Sequence, residues 1–211
     1  MNRVKIKENA KKMIKGNLWH LWKPQIIFGL IEFAIGAIVT IIMLLTGAGQ
    51  ETMEKVITLI STPMSIIEVI FLVGFSKYCL DFVRGKKSNM KEIWEFIKKN
   101  WVVSLLISLL VAFNVAFGMI LLIVPGIMAA VGLSFYREVC ADNPELKTTD
   151  IARKAWKITD GYKMDLFIMG LSFLGWLFLV PITFGLLMIW LTPYMTISFT
   201  LAYEELKKAA E

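Results

Sequence analysis

From Asn100 to Tyr136 the chain runs for 37 residues without an Asp, Glu, Lys or Arg, and from Leu166 to Tyr203 it does so for 38 more. A helix rises about 1.5 Å per residue and a bilayer core is about 30 Å thick, so one crossing needs about 20 apolar residues. Each run is too long for one crossing, and a soluble core of a 211-residue chain has no use for either. The rest of the composition agrees: 57% of residues are hydrophobic and 19% charged, against about 25% charged in a typical soluble domain. A soluble enzyme, a disordered chain, a coiled coil, a collagen and a disulfide scaffold are excluded. An all-α, polytopic membrane protein remains.

Splitting the runs where Pro and Gly break helices gives the count. Val124-Pro125-Gly126 divides the first run into spans 101–123 and 126–140. Pro181 and Gly185 divide the second into 164–180 and 184–203, with Pro193 expected to kink the last. Upstream, residues 24–45 and 60–82 each fit a span, the first interrupted only by Glu32 and the second containing Glu68. Six spans in one membrane domain, 1–211, follow. The first begins after 23 residues and is as long as a full crossing, so it is expected to remain as an anchor rather than be cleaved as a signal peptide.

The basic residues test this count. Of 23 Lys and Arg, 22 fall on one face of a six-span arrangement: in the N-terminal segment, in the loops around 77–99 and 137–163, and at Lys207 and Lys208. Only Lys55 falls on the other. The positive-inside rule then predicts that both termini are cytoplasmic. Cys79 and Cys140 lie near the reducing face and are expected to be free packing residues.

The basic segments carry helical periodicity. Ile6, Ala10, Met13, Ile14, Leu18 and Leu21 form one apolar stripe within residues 1–23. Met90, Ile93, Trp94 and Ile97 form a second within 88–100, and Ile151, Ala155 and Ile158 a third within 148–160. Each reads as an amphipathic helix suited to the headgroup layer. Each leads into a pair of spans through a similar joint: Lys15-Gly16-Asn17, Lys99-Asn100-Trp101, Asp160-Gly161-Tyr162. The pattern suggests three copies of one unit, a helix plus a hairpin. Lys11, Lys12, Lys15, Lys98, Lys99, Arg153, Lys154 and Lys157 are the expected contacts to anionic lipid.

Ionisable groups inside spans are the most informative for chemistry, since a charge at mid-bilayer costs about 2.5 kcal/mol or more. Glu32 and Glu68 lie at similar depths of neighbouring spans and form a candidate ligand or proton site. Asn114, mid-span, is a further candidate or a helix-to-helix bond. Gly29, Gly36, Gly170, Ser172 and Gly175 are expected to permit close helix packing. The single histidine, His20, precedes the first span, and the chain has no zinc-protease motif, paired-cysteine motif, phosphate loop or nucleophile elbow. No catalytic residue, metal or cofactor is predicted, and the net charge of +6 is accounted for by topology rather than by nucleic acid.

Several stretches carry a resemblance. Ala141-Asp142-Asn143-Pro144-Glu145-Leu146, Gly161-Tyr162-Lys163, Leu166-Phe167, Leu171-Ser172-Phe173, Gly175-Trp176 and Leu191-Thr192-Pro193-Tyr194 resemble the bacterial integral membrane family called domain of unknown function 975. So do Ala10-Lys11, Lys15-Gly16-Asn17 with Trp19, and Arg84-Gly85-Lys86-Lys87. Leu18 and Ile158-Thr159-Asp160 depart from the family's usual Trp and Met at those joints. More loosely, the chain is similar to membrane domains attached to glycerophosphodiester phosphodiesterases. The resemblance implies a multi-pass protein of a bacterial cytoplasmic membrane and assigns no catalytic residue.

The expected function is accordingly non-enzymatic: binding of a lipid, a membrane-active peptide or a membrane-protein partner, in an accessory or protective role. The alternative is a small proton- or ion-linked transporter or channel using Glu32 and Glu68. An intramembrane lipid enzyme is the least favoured.

Overall fold

The computed structural model describes residues 1–47, 49–86 and 88–210. Lys87, the last residue of the Arg84-Gly85-Lys86-Lys87 motif, lies outside them. The described residues form helices and turns without a strand. In order these are α1 (Arg3–Ile14), α2 (Leu18–Leu45), α3 (Gln50–Val83), α4 (Met90–Leu121), α5 (Ile123–Gly132), α6 (Tyr136–Asp142), α7 (Thr148–Thr159), α8 (Lys163–Leu177) and α9 (Met188–Ala210).

Four stretches are helical, long and apolar enough to cross a membrane: Leu18–Leu45, Gln50–Val83, Met90–Ile120 and Ile123–Asp142. The 28 residues of α2 alone reach about 42 Å, yet α2 buries only Leu21, Pro24, Phe28 and Met43. Leu44, Leu45, Ile57 and Leu59 of the first hairpin are exposed. Water would penalise such a surface heavily, whereas hydrocarbon solvates it.

Several boundaries differ from the sequence expectation. The break in the first uncharged run falls at Leu122, whose backbone is extended (φ −164°, ψ 148°), rather than at 124–126. Pro125 sits instead in the first turn of α5, where its missing N–H has no helical partner to lose. The expected span 126–140 is divided into α5 and α6 at Leu133–Phe135. In the second run α8 is 15 residues long, and the final helix starts at Met188 rather than 184. Phe184 (φ 49°) and Gly185 (φ 82°) adopt left-handed backbone there and close a turn instead. Pro193 is accommodated within α9. The connection expected over 46–59 is largely the first part of α3.

The three joints share one geometry. Asn17, Asn100 and Tyr162 have φ/ψ of −113°/9°, −123°/18° and −121°/7°. Gly16 (φ 84°) and Gly161 (φ 75°) precede the first and third in left-handed backbone. The Asn17 and Asn100 amides donate to carbonyls four residues back, on Met13 and Phe96. At the middle joint α4 bends without stopping, so the predicted helix 88–100 is its first third.

The apolar stripes face protein. Ile6, Ala10 and Ile14 of α1 are buried with α1 packed along α9; Ile151, Ala155 and Ile158 of α7 are buried among α4, α6 and α9. The core lies on the side that carries both termini. There the Asn2 backbone N–H donates to the Glu205 carboxylate (3.1 Å) and the Tyr78 hydroxyl donates to the His20 carbonyl (3.0 Å).

The expected packing glycines are not those used. A Cβ at Gly29, Gly36, Gly170 or Gly175 would meet nothing within 4 Å. At Gly118 it would lie 2.9 Å from the Gly126 Cα, so α4 and α5 approach backbone to backbone there. Ser172 bonds to Lys7 and to the Met169 carbonyl.

Candidate functional site

Between α2, α3, α4, α5, α6 and α9 lies a chamber of about 760 Å³. Glu32 of α2 and Glu68 of α3 both line it, as their matched depths predict. Glu138 of α6 is a third carboxylate in the wall, with Arg137 beside it and Gln25, Ser76, Ser134, Thr192 and Thr196 as further polar groups. The apolar wall is aromatic on one side. Phe28 and Phe71 stack with centroids 4.2 Å apart and planes at 9°, and Phe75 continues the stack at 6.2 Å.

Glu138 carries an enclosed oxygen without a partner. Its Oε2 accepts no hydrogen bond, although the residue as a whole is only half-buried; the Ser134 hydroxyl, in the turn before α6, is equally enclosed and unpartnered. Buried polar atoms are almost always bonded, because an unmet donor or acceptor costs about 1–3 kcal/mol. Arg137 turns toward the Tyr136 ring, 5.5 Å from its centroid.

Glu32 also belongs to a second space. A groove of about 620 Å³ runs between α2 and the first half of α3 and is lined by Phe33, Ile35, Gly36, Ala37, Val39, Thr40, Ile41, Ile57, Ile60, Ser61 and Met64. Apart from Glu32, its charged residues are none among those described. An acidic chamber and an apolar groove thus share one carboxylate.

Asn114 takes no part in this site. It is exposed, its amide donates to the Leu110 carbonyl of its own helix (2.8 Å), and its neighbours Val111 and Val115 face the chamber in its place. Among the predicted lipid-contacting cations, Lys11, Lys12, Lys15, Lys98, Lys99, Arg153 and Lys157 are exposed. Lys154 is half-buried and donates to the Asn143 side chain (2.8 Å).

On the terminal side of the chamber an ion cluster ties three helices together. Arg84, capping α3, donates to both oxygens of Asp142 at the end of α6 (2.6 and 2.7 Å) and to Glu204 of α9 (2.8 Å). Lys207 and the Tyr203 hydroxyl donate to Asp142 as well, at 2.8 and 3.0 Å. The bonds to Asp142 push the Arg84 guanidinium further toward its charged form. Asp81, one turn before Arg84, is held by Lys77 (2.8 Å).

Residues 113–210 match the family model described as "Protein of unknown function (DUF975)". The chain is similar to that family over this C-terminal segment. The motifs that carry the DUF975 resemblance run from the end of α6 through α8 to the start of α9: Asp142 stands in the ion cluster, Asn143 is bonded to Lys154, and Tyr194 packs in the core against Phe173 of α8. Arg84 precedes the matched segment and is nonetheless the direct partner of Asp142 within it. No curated protein and no solved structure matches the chain.

Glu138 was open to sequence reasoning. It stands inside the span expected over 126–140, as Glu32 does in its own, but adjacency to Arg137 makes it look like the charged end of that span. The groupings around Asp142 carry no local signal, because Arg84 and Glu204 are distant in sequence.

Proposed function

We propose that the chain is a non-enzymatic integral protein of a bacterial cytoplasmic membrane that binds an amphiphilic ligand, lipid or membrane-active peptide, with its polar part in the chamber and its apolar part in the α2–α3 groove. The observation that carries this reading is the shared wall at Glu32. An amphiphile needs a polar pocket continuous with an apolar channel, and ligand sites in helical membrane proteins are built between helices. Six crossings with cytoplasmic termini complete the reading. It is supported by the 22-to-1 division of basic residues, and by the bond between Asn2 and Glu205, which requires an even number of crossings.

Native mass spectrometry of the full chain released from its own membrane in mild detergent tests this. One retained amphiphile per protein is expected, lost when Gly36→Leu and Ala37→Leu narrow the groove. Bare protein throughout would overturn the reading.

Glu32 and Glu68 in one wall also favour a second reading, proton- or ion-linked transport. That reading predicts pH-dependent flux in proteoliposomes, abolished by Glu32→Gln or Glu68→Gln. Equal flux in wild type, both variants and empty vesicles rules it out.

A further inference from the structure

We infer that the amphiphile bound by this chamber carries a primary ammonium group, and that Glu138 with Ser134 receives it. The inference rests on the amphiphile-binding reading and names the charge of the ligand.

The charge of the wall is the first argument. Three carboxylates, Glu32, Glu68 and Glu138, face the chamber against one guanidinium, Arg137, and no lysine lines it. Among the described residues Arg137 makes no ion pair and lies against Tyr136. The chamber therefore has an excess of acceptors over donors.

The second argument is local and independent of the count. The Glu138 Oε2 and the Ser134 Oγ are enclosed and unpartnered, and both residues line the chamber, four positions apart in sequence. Enclosed acceptors of this kind call for a donor. A single proton serves only one of them. A primary ammonium has three N–H donors on one centre, enough for both.

The third argument is the neighbouring groove. An anionic head would be repelled by the acids of the chamber. Glu32 lines the chamber and the groove alike, and among the described residues no other charged side chain lines the groove, which suits an alkyl chain attached to the ammonium head.

The test uses the purified full chain in a neutral detergent and two probes of equal chain length, dodecylamine and dodecanol, titrated under native mass spectrometry. The amine is expected to form a saturable one-to-one complex at least about tenfold tighter than the alcohol, the least that a close, desolvated charge pair contributes. Glu138→Gln is expected to bring the amine down to the affinity of the alcohol. Equal binding of both probes by wild type would overturn the charge assignment and leave the amphiphile-binding reading standing. Saturable binding of neither would overturn both. A wild-type preference for the amine that persists in Glu138→Gln would remove Glu138 from the site. Should that variant fail to fold, the wild-type comparison and Ser134→Ala, expected to weaken only the amine, decide the matter.

Discussion

Arg84 and Asp142 stand 58 residues apart and meet through two hydrogen bonds of 2.6 and 2.7 Å, with the Asp142 side chain only 7% exposed. This bidentate pair, extended by Glu204 and Lys207, locks the ends of α3, α6 and α9. Removing one partner of an enclosed pair leaves the other charge uncompensated. Arg84→Met is therefore expected to destabilise the protein by about 3–5 kcal/mol, read as a fall in the unfolding midpoint in detergent. Adding Asp142→Asn to it should recover part of the loss. A double variant no better than Arg84→Met would mean that the pair does not hold these helices.

The joints offer a test of the repeat. Gly16 and Gly161 have φ of 84° and 75°, and a Cβ at either would meet nothing within 4 Å. The cost of Ala there is purely conformational, about 1–2 kcal/mol. Gly16→Ala and Gly161→Ala should lower stability by similar amounts, while Gly170→Ala, in open space on a helix, should be neutral or slightly stabilising. Thermal unfolding of the three variants decides it, and a neutral Gly16→Ala would separate the first joint from the third.

Lys7 gives a pH dependence. Burial, and then the charges of Lys11 and Arg3, lower its pKa from the ordinary 10.5. Between the lowered value and 10.5 the unfolded chain holds more protons than the folded one, so this residue's contribution rises with pH through that window and is flat below it. The stability difference between wild type and Lys7→Met should therefore shift in favour of wild type as pH climbs toward 10.5. A difference independent of pH would mean that Lys7 titrates normally.

Access to the chamber can be read chemically. In a background with Cys79 and Cys140 replaced by Ser, single cysteines at positions 32 and 68 should react with a charged thiol reagent in intact membranes. A cysteine at Val73, which is fully buried, should not. Protection at 32 and 68 in a folded protein would close the chamber to water and leave it reachable from the lipid side alone.

The all-helical, apolar character was legible because run length is a local signal, and four stretches are long and apolar enough to cross a membrane where six were expected. Pro and Gly marked that the runs break but not at which residue. α7 falls within a residue of its expected bounds because its stripe, Ile151, Ala155 and Ile158, is unambiguous. Glu32 and Glu68 could be brought together because depth in a membrane is a coordinate that sequence reports. What escaped was set by contacts between distant segments. The Arg84 cluster joins three helices that no periodicity links. The partner of the α1 stripe was taken to be the headgroup layer when it is α9, since a stripe tells which residues seek cover and not what provides it. Asn114 lies outside the chamber lining for a rotational reason: on a helix, moving one position turns a side chain by about 100°, and Val115 rather than Asn114 faces the chamber.

The pairing of α1 with α9 has a consequence for biosynthesis. α1 is made before α9, and α9 is what covers it. Ile6, Ala10 and Ile14 stay open while α2 to α8 are synthesised, and the bond from Asn2 to Glu205 can form only after residue 205 has left the ribosome. Membrane insertion can begin with the first hairpin, but the seat of α1 is completed only in a late step, when α9 arrives.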